Sequence, residues 1–149
     1  MLEKAGWISG GRTDGCSEFC KTIEIEKPIR HAILKMTALG VYAAYLDGLR
    51  VGRFRMAPGW TVYAHRVQVQ TYDVTEMLRG RTESNLSVTV ANGWYLSDMS
   101  HWLHPKNRNP ALIAEIRMIY TDGTERVIGT DETWLVRESK TRYKAAVSV

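Results

Sequence analysis

Apolar and polar residues alternate with a period of two in several short runs of this chain. The clearest runs are residues 19–25, 67–69 and 86–90, in which residues such as Phe19, Ile23 and Val88 are separated by polar neighbours. Successive side chains of a β-strand point to opposite faces, so each run predicts a strand with one face on a core and one in water.

Two Asp-Gly pairs lie between apolar runs. Asp47-Gly48 separates residues 41–46 from 49–51, and Asp122-Gly123 separates residues 116–120 from 126–128. Asp-Gly in this position is a strong hairpin signal, because both residue types tolerate a positive φ. The two pairs predict two hairpins and therefore an antiparallel sheet.

Helix is scarce in the pattern. One helical turn is predicted over residues 74–78, with Asp73 as its N-cap and Gly80 near its end. The predicted fold is all-β: an antiparallel, jelly-roll-like β-sandwich with one short helix. The 149 residues are the size of one domain, divided here into an N-terminal segment, 1–18, and the β-sandwich, 19–149.

Composition excludes several classes of partner. No apolar run approaches the roughly 20 residues that span a bilayer, so no membrane partner is predicted. The net charge of +4 is not gathered into a tight basic run, and nucleic acid is not expected as a partner. Cys16 and Cys20 are expected to be reduced. The first residues lack the pattern of a secretion signal, so a cytoplasmic location is expected, and the last residues suggest a chain cut from something longer.

Five motifs, in this order and spacing, resemble the N-terminal domain of bacterial α-L-rhamnosidases. The residues that carry the resemblance are 38–42, 46–52, 57–63 (Ala-Pro-Gly-Trp-Thr-Val-Tyr), 71–75 (Thr-Tyr-Asp-Val-Thr) and 92–95 (Asn-Gly-Trp-Tyr). It begins near Phe19 and continues to Trp134. Two departures are Asp47-Gly48, where Asn-Gly is frequent, and Leu96-Ser97-Asp98, where an Arg-Gly pair is often seen.

The resemblance implies a non-catalytic, structural role, and assistance in substrate recognition stays open. In that family this jelly-roll-like sandwich precedes a second β domain and a helical (α/α)₆ barrel that carries the catalytic carboxylates. The expected partners are then other domains of the same polypeptide. Some members carry a related sandwich that binds rhamnose with calcium, so a carbohydrate-binding module for L-rhamnose is the alternative function.

Five residues are candidate sugar contacts, because a sugar site needs aromatic faces and fixed polar groups. They are Trp60, Asn92, Trp94, Tyr95 and Asp98. The last of these lies in a long irregular segment from about Tyr95 to Pro110. In the alternative interpretation, both tryptophans are pillars that pack in the core or an interface, and Asn92-Gly93 is a turn.

No cofactor is expected, although calcium stays open. The loop carboxylates are Asp47, Asp73, Asp98 and Asp122, and they form no dense cluster. His101 and His104 are two ligands without a third for zinc, and no metal site is predicted there.

Catalysis within these residues is not expected. The remaining candidates are four carboxylates: Glu115, Glu125, Asp131 and Glu132. They are predicted to lie on strands and turns, where charged side chains normally face water.

Overall fold

The chain forms ten β-strands and two short helical turns within the residues that the computed structural model describes, namely 2–11, 16–97 and 109–138. In chain order the elements are β1 (Ile8–Ser9), β2 (Cys16–Glu24), β3 (Ile29–Leu39), β4 (Val41–Leu46), β5 (Leu49–Arg50), β6 (Gln70–Asp73), α1 (Thr75–Leu78), β7 (Glu83–Ala91), a 3₁₀ helix (Gly93–Leu96), β8 (Ala111–Tyr120), β9 (Glu125–Gly129) and β10 (Leu135–Glu138).

The strands form two antiparallel sheets of five strands each. The first sheet has the order β1-β8-β3-β6, and β9 pairs with β8 beside β1. The second sheet has the order β10-β2-β7-β4-β5. Consecutive strands β3 and β4 lie in different sheets, so the chain crosses between the layers at Gly40. This arrangement confirms the predicted all-β, antiparallel sandwich with one short α-helix.

The core lies between the two sheets and is filled by alternate residues of their central strands. The strands β3 and β8 contribute Leu34, Met36, Leu112, Ile116 and Met118, and the strands β2 and β7 contribute Phe19, Ile23, Leu86, Val88 and Val90. These side chains are at most 1% exposed. Burial of one such side chain contributes roughly 1.5–3 kcal/mol, so the alternation read from the sequence decides which face of each strand is buried.

Both predicted hairpins are present. At the first turn, Asp47 has φ 49° and Gly48 has φ 80°, the positive pair that a two-residue hairpin requires. At the second turn, Gly123 has φ 84° and β9 begins two residues later, at Glu125. Asp122 instead accepts hydrogen bonds from the Thr124 N–H and hydroxyl, so it holds a longer loop.

The helix begins one residue later than predicted. Val74 occupies the N-cap position without a side-chain bond, and the Asp73 carboxylate accepts the Thr75 N–H at 2.9 Å. Asp73 therefore satisfies one free N–H of the first turn from one position further out. Gly80 has φ 73°, which ends the turn as predicted.

The predicted strand at residues 67–69 is wrong. Pairing with β3 begins only at Gln70, and the side chain of Val69 is 48% exposed. Alternation identified an extended chain, but a strand also requires a paired neighbour. Within the described ranges, neither helical turn is long or apolar enough to cross a membrane.

The expectation that the Glu115 side chain faces water is wrong. It is 3% exposed, and its Oε2 accepts the backbone N–H groups of Glu3 and Lys4 at 2.7 and 2.8 Å. The N-terminal residues therefore cover this carboxylate on the outer face of the first sheet. Gly129 allows the approach, because a Cβ there would stand 2.1 Å from the Lys4 carbonyl oxygen.

Strands extend into the predicted N-terminal segment. Ile8–Ser9 pairs with β8, and β2 begins at Cys16 rather than Phe19. The division at residue 18 stays a prediction. Both thiols are free in the structure, and burial together with the nearby Glu18 carboxylate raises the pKa of the Cys20 thiol.

Candidate functional site

Exposed apolar side chains are concentrated within the connection from β5 to β6, in residues 52–69, which we call the aromatic loop. Its exposed side chains are Phe54, Met56, Trp60, Val62 and Val69, with exposed fractions of 54, 54, 69, 47 and 48%. Single exposed apolar residues are ordinary, whereas a group of them in one loop is a candidate interaction surface. Trp60 and Val62 belong to the motif at residues 57–63 that the sequence singled out, and Met56 immediately precedes it.

The base of the aromatic loop is fixed to the sandwich. Ala57 is 1% exposed and forms an isolated bridge with Tyr42, whose N–H donates to the Ala57 carbonyl at 2.8 Å. The Gln70 amide donates to the Pro58 carbonyl at 3.4 Å. The Tyr42 hydroxyl in turn contacts Gln70 Oε1 at 3.1 Å and the Tyr72 hydroxyl at 2.9 Å. Strands of both sheets therefore hold the loop.

Hydrogen bonds within the loop close two turns. The Gly59 N–H donates to the Met56 carbonyl at 3.0 Å, and the Arg66 N–H donates to the Val62 carbonyl at 3.0 Å. The Thr61 hydroxyl donates to the Arg66 carbonyl at 2.9 Å. A loop bonded in this way presents its side chains in a defined arrangement.

The loop and its borders carry the net charge of the chain. From residue 48 to residue 72 there is no Asp, Glu or Lys, and there are four arginines: Arg50, Arg53, Arg55 and Arg66. The whole chain has 20 basic and 16 acidic residues, so its net charge of +4 equals the charge of these four. The sequence argument missed this surface because it looked for a run of adjacent basic residues, whereas these are spaced along a loop.

The Asn-Gly-Trp-Tyr motif forms the N-cap and the first three residues of the 3₁₀ helix, which lies beside the aromatic loop. Tyr95 is 4% exposed, and its ring meets the Tyr63 ring edge to face at a centroid distance of 5.1 Å. Burial raises the pKa of Tyr63 to about 12, with a smaller contribution from Tyr95. Gly93 has φ 50°, and a Cβ there would stand 2.6 Å from a methyl group of Val41. The turn is therefore packed closely on β4.

The predicted sugar contacts have different surroundings. Trp60 is exposed, so it does not pack in the core, and only the interface half of the alternative interpretation stays open for it. Trp94 and Asn92 are half-buried at the 3₁₀ helix, whereas Tyr95 leaves little of its ring open to a ligand. Asp98 lies outside the described residues. As sugar contacts, all five stay predictions.

Three of the four carboxylates considered for calcium, Asp47, Asp73 and Asp122, are used in local structure. Asp47 accepts the Ser84 hydroxyl at 2.7 Å and the Asn85 N–H at 2.8 Å, and Arg81 lies 3.0 Å from its Oδ2. These contacts, the Asn85 N–H first, lower the pKa of Asp47. Asp73 caps Thr75 and Asp122 pairs with Lys27 at 2.7 Å. Among residues 2–11, 16–97 and 109–138, no group of three metal-ligating side chains converges. His101 and His104 lie outside these ranges.

The four carboxylates considered for catalysis do not share one hollow. Glu115 lines a hollow on the first sheet with Lys35 and Arg117, whereas Asp131 and Glu132 line another beside Trp134. Glu125 pairs with Arg117 at 3.2 Å. Neither hollow includes a predicted sugar contact.

The two sheets and the fixed loop define the class: an antiparallel β-sandwich domain with an exposed aromatic loop. A family model described as the α-L-rhamnosidase N-terminal domain matches residues 27–146. The chain belongs to the α-L-rhamnosidase N-terminal domain family. This result confirms the resemblance found in the motifs.

Relatives place the family domain in much longer proteins. An α-L-rhamnosidase of Streptomyces avermitilis is 44% identical over 109 residues, which are 72% of this chain and 10% of that protein. The crystal structure of native α-L-rhamnosidase from Aspergillus terreus has a TM-score of 0.83 at 29% identity, over 92% of this chain and 17% of that one. The Streptomyces avermitilis enzyme complexed with L-rhamnose has a TM-score of 0.71 at 35% identity, over 84% of this chain and 12% of that one. The chain thus spans 10 to 17% of the length of these relatives.

Proposed function

We propose that the chain is a non-catalytic structural domain of an α-L-rhamnosidase polypeptide, packed against the domains that carry out hydrolysis. The observation that carries this proposal is the engagement of its carboxylates. Glycoside hydrolysis needs two carboxyl groups that face each other across a pocket, at roughly 5 to 9.5 Å. The candidate carboxylates are instead divided between two hollows, and Glu115, Glu125 and Asp131 are each held by hydrogen bonds or an ion pair.

The individual contacts support the same proposal. Glu115 is occupied by two backbone N–H groups, which leaves its Oε2 committed to anchoring the chain. Asp131 accepts the Thr133 N–H at 2.9 Å and the Thr133 hydroxyl, so it holds a turn before β10. A carboxylate fixed in this way is a poor acid or nucleophile for a sugar.

The test is hydrolysis of 4-nitrophenyl α-L-rhamnopyranoside by this 149-residue chain and by the full polypeptide. We expect nitrophenol release from the full polypeptide and none from the chain. Release that scales with the concentration of the chain, and that Glu115→Gln or Asp131→Asn abolishes, would contradict the proposal.

A second candidate function is binding of L-rhamnose at Asn92 and Trp94. Two observations favour it: Trp94 is half-buried on a turn that is packed closely on β4, and a relative with 35% identity is known in complex with L-rhamnose. An aromatic ring and an amide group are the kinds of side chain that bind the apolar face and the hydroxyls of a pyranose.

Calorimetric titration with L-rhamnose, with and without calcium, tests the second candidate. Saturable binding that is lost in Trp94→Ala and Asn92→Ala, and retained in Trp7→Ala, is the expected result. Trp7 is a matched control because it is a 48% exposed tryptophan of the N-terminal residues. Heats equal to those of dilution, or equal losses in all three variants, would exclude this site.

A further inference from the structure

We propose that the aromatic loop is the docking surface of this domain, and that it packs on an apolar patch with an acidic rim on another domain of the same polypeptide. The inference rests on the proposed structural role, to which it adds the surface and the chemistry of the partner.

The first argument is the contrast between a fixed backbone and exposed apolar side chains. The loop is bonded to Tyr42 and Gln70 at its base, yet Phe54 and Trp60 are 54 and 69% exposed. Ordering a loop costs conformational entropy, and apolar side chains held in water gain nothing from it within the domain. A fixed apolar surface is pre-organised for a partner, because the ordering cost is met before binding.

Met56 supplies a second, independent observation. Its φ is 58°, a left-handed conformation that costs a bulky residue free energy and that Gly or Asn adopts more readily. Its side chain is 54% exposed, so packing within the domain offsets little of this strain. A partner that covers the Met56 side chain would supply the missing contacts.

Charge selects the kind of partner. Three exposed arginines of the loop, Arg53, Arg55 and Arg66, and no carboxylate between residues 48 and 72 favour a surface whose rim is acidic. A second copy of this chain docked loop to loop would place the same arginines against one another, and like charges across an interface are repulsive. The chain spans only 10 to 17% of its relatives, so a tethered domain of the same polypeptide is the partner present at the highest effective concentration.

Hydrogen exchange measured by mass spectrometry tests the docking. It compares the full polypeptide with this 149-residue chain. We expect the amides of residues 56–67 to exchange at least tenfold more slowly in the full polypeptide. The amides of the 121–124 turn serve as an internal reference and are expected to exchange equally in both.

Variants of the full polypeptide identify the side chains. The double change Phe54→Ser and Trp60→Ser is expected to remove the tenfold protection, and Arg53→Glu with Arg55→Glu to reduce it. Leu135→Ser is the control, because Leu135 is 75% exposed on β10, outside the loop. It is expected to leave the protection of residues 56–67 unchanged.

Several outcomes would overturn the inference. Equal exchange of residues 56–67 in both proteins does so, as does protection that survives the double change. Protection in the isolated chain that grows with its concentration would identify a second copy as the partner, and protection produced by an anionic oligosaccharide would identify a glycan. If β10 is protected instead, the domain still packs against the rest of the polypeptide, but not through the aromatic loop. If no part of this domain is protected, the proposed structural role itself is contradicted.

Discussion

Replacement of Glu115 tests how the N-terminal residues are held. Its Oε2 accepts two backbone N–H groups at 2.7 and 2.8 Å, and the side chain is 3% exposed. A hydrogen bond to a charged group contributes about 1.5 kcal/mol at the lower end of the usual range. The two bonds together therefore hold residues 3–6 by about 3 kcal/mol.

The loss is expected to be local. In Glu115→Ala the two N–H groups regain water if residues 3–6 detach, so the free energy of global unfolding falls by less than the full amount. Detachment also breaks the pair of bonds between Gly6 and Thr130, in which the Gly6 N–H donates at 2.8 Å and the Thr130 hydroxyl donates at 2.6 Å. A change of about 3 kcal/mol corresponds to a factor of about 100 in an equilibrium constant. The protection of the Gly6 amide should fall by that factor.

The assay is native-state hydrogen exchange of Gly6, with two comparison variants. Glu115→Gln keeps an acceptor oxygen but loses the charge, which is expected to halve the effect and lower protection about tenfold. Glu3→Gln removes the exposed ion pair with Arg117, at 3.1 Å, and is expected to cost less than about 1 kcal/mol. Equal losses of protection in Glu115→Ala and Glu3→Gln would refute the reasoning, and so would a loss spread evenly over the amides of β7.

Three further changes test other parts of the fold. Asp47→Asn keeps a residue that suits the turn but removes the charge; we expect a loss of about 1 kcal/mol at neutral pH. Because its pKa is lowered in the folded state, the Asp47 carboxylate stabilises the fold at pH values above the ordinary carboxyl pKa, and this stabilisation is lost as the pH falls below that value. Urea unfolding should therefore show the stabilities of the parent chain and of Asp47→Asn converging in acid. A difference in stability that does not change with pH would contradict this. Gly40→Ala should lower the melting temperature much more than Gly80→Ala. A Cβ at Gly40 would stand 2.2 Å from the Ala91 carbonyl oxygen, whereas a Cβ at Gly80 would have nothing within 4 Å. Equal decreases in melting temperature would show that the positive φ, and not the close contact, determines the cost. Tyr42→Phe should lower the free energy of unfolding by about 1 kcal/mol at neutral pH. Burial raises the pKa of the Tyr42 phenol, so above about pH 10 unfolding releases its proton and the fold is destabilised; Tyr42→Phe should weaken this destabilisation. If stability depends on alkaline pH in the same way in both proteins, that cause is excluded.

Local patterns predicted the frame of this fold well. The Asp47-Gly48 hairpin and the alternation around Val88 follow from backbone conformation and from one-sided burial, both of which act over a few residues. The helix near Thr75 also follows from its neighbours, although its cap lies one position away from the expected residue.

Long-range contacts set the features that the sequence did not predict. Glu115 looks like any outward-facing strand residue until residues 3–4, more than a hundred positions earlier, cover it. Val69 alternates with its neighbours as a strand does, but β3 pairs with the chain only from Gln70. Two residues of the predicted site also depend on long-range contacts: Trp60 is exposed, whereas Tyr95 packs on Tyr63. Residues close in sequence do not determine this difference.

The position of Ala57 explains how one short motif serves both the fold and the proposed docking. Ala57 is buried and bonded to Tyr42, so it belongs to the sandwich, whereas Met56 before it and Trp60 after it are exposed. The apolar side chains of the loop are therefore held at a fixed distance from the core by a residue that the core itself requires. A substitution that breaks the contact between Ala57 and Tyr42 would disturb the loop without removing any of its exposed side chains. The Ala-Pro-Gly-Trp motif therefore both fixes the loop to the sandwich and carries an exposed aromatic side chain.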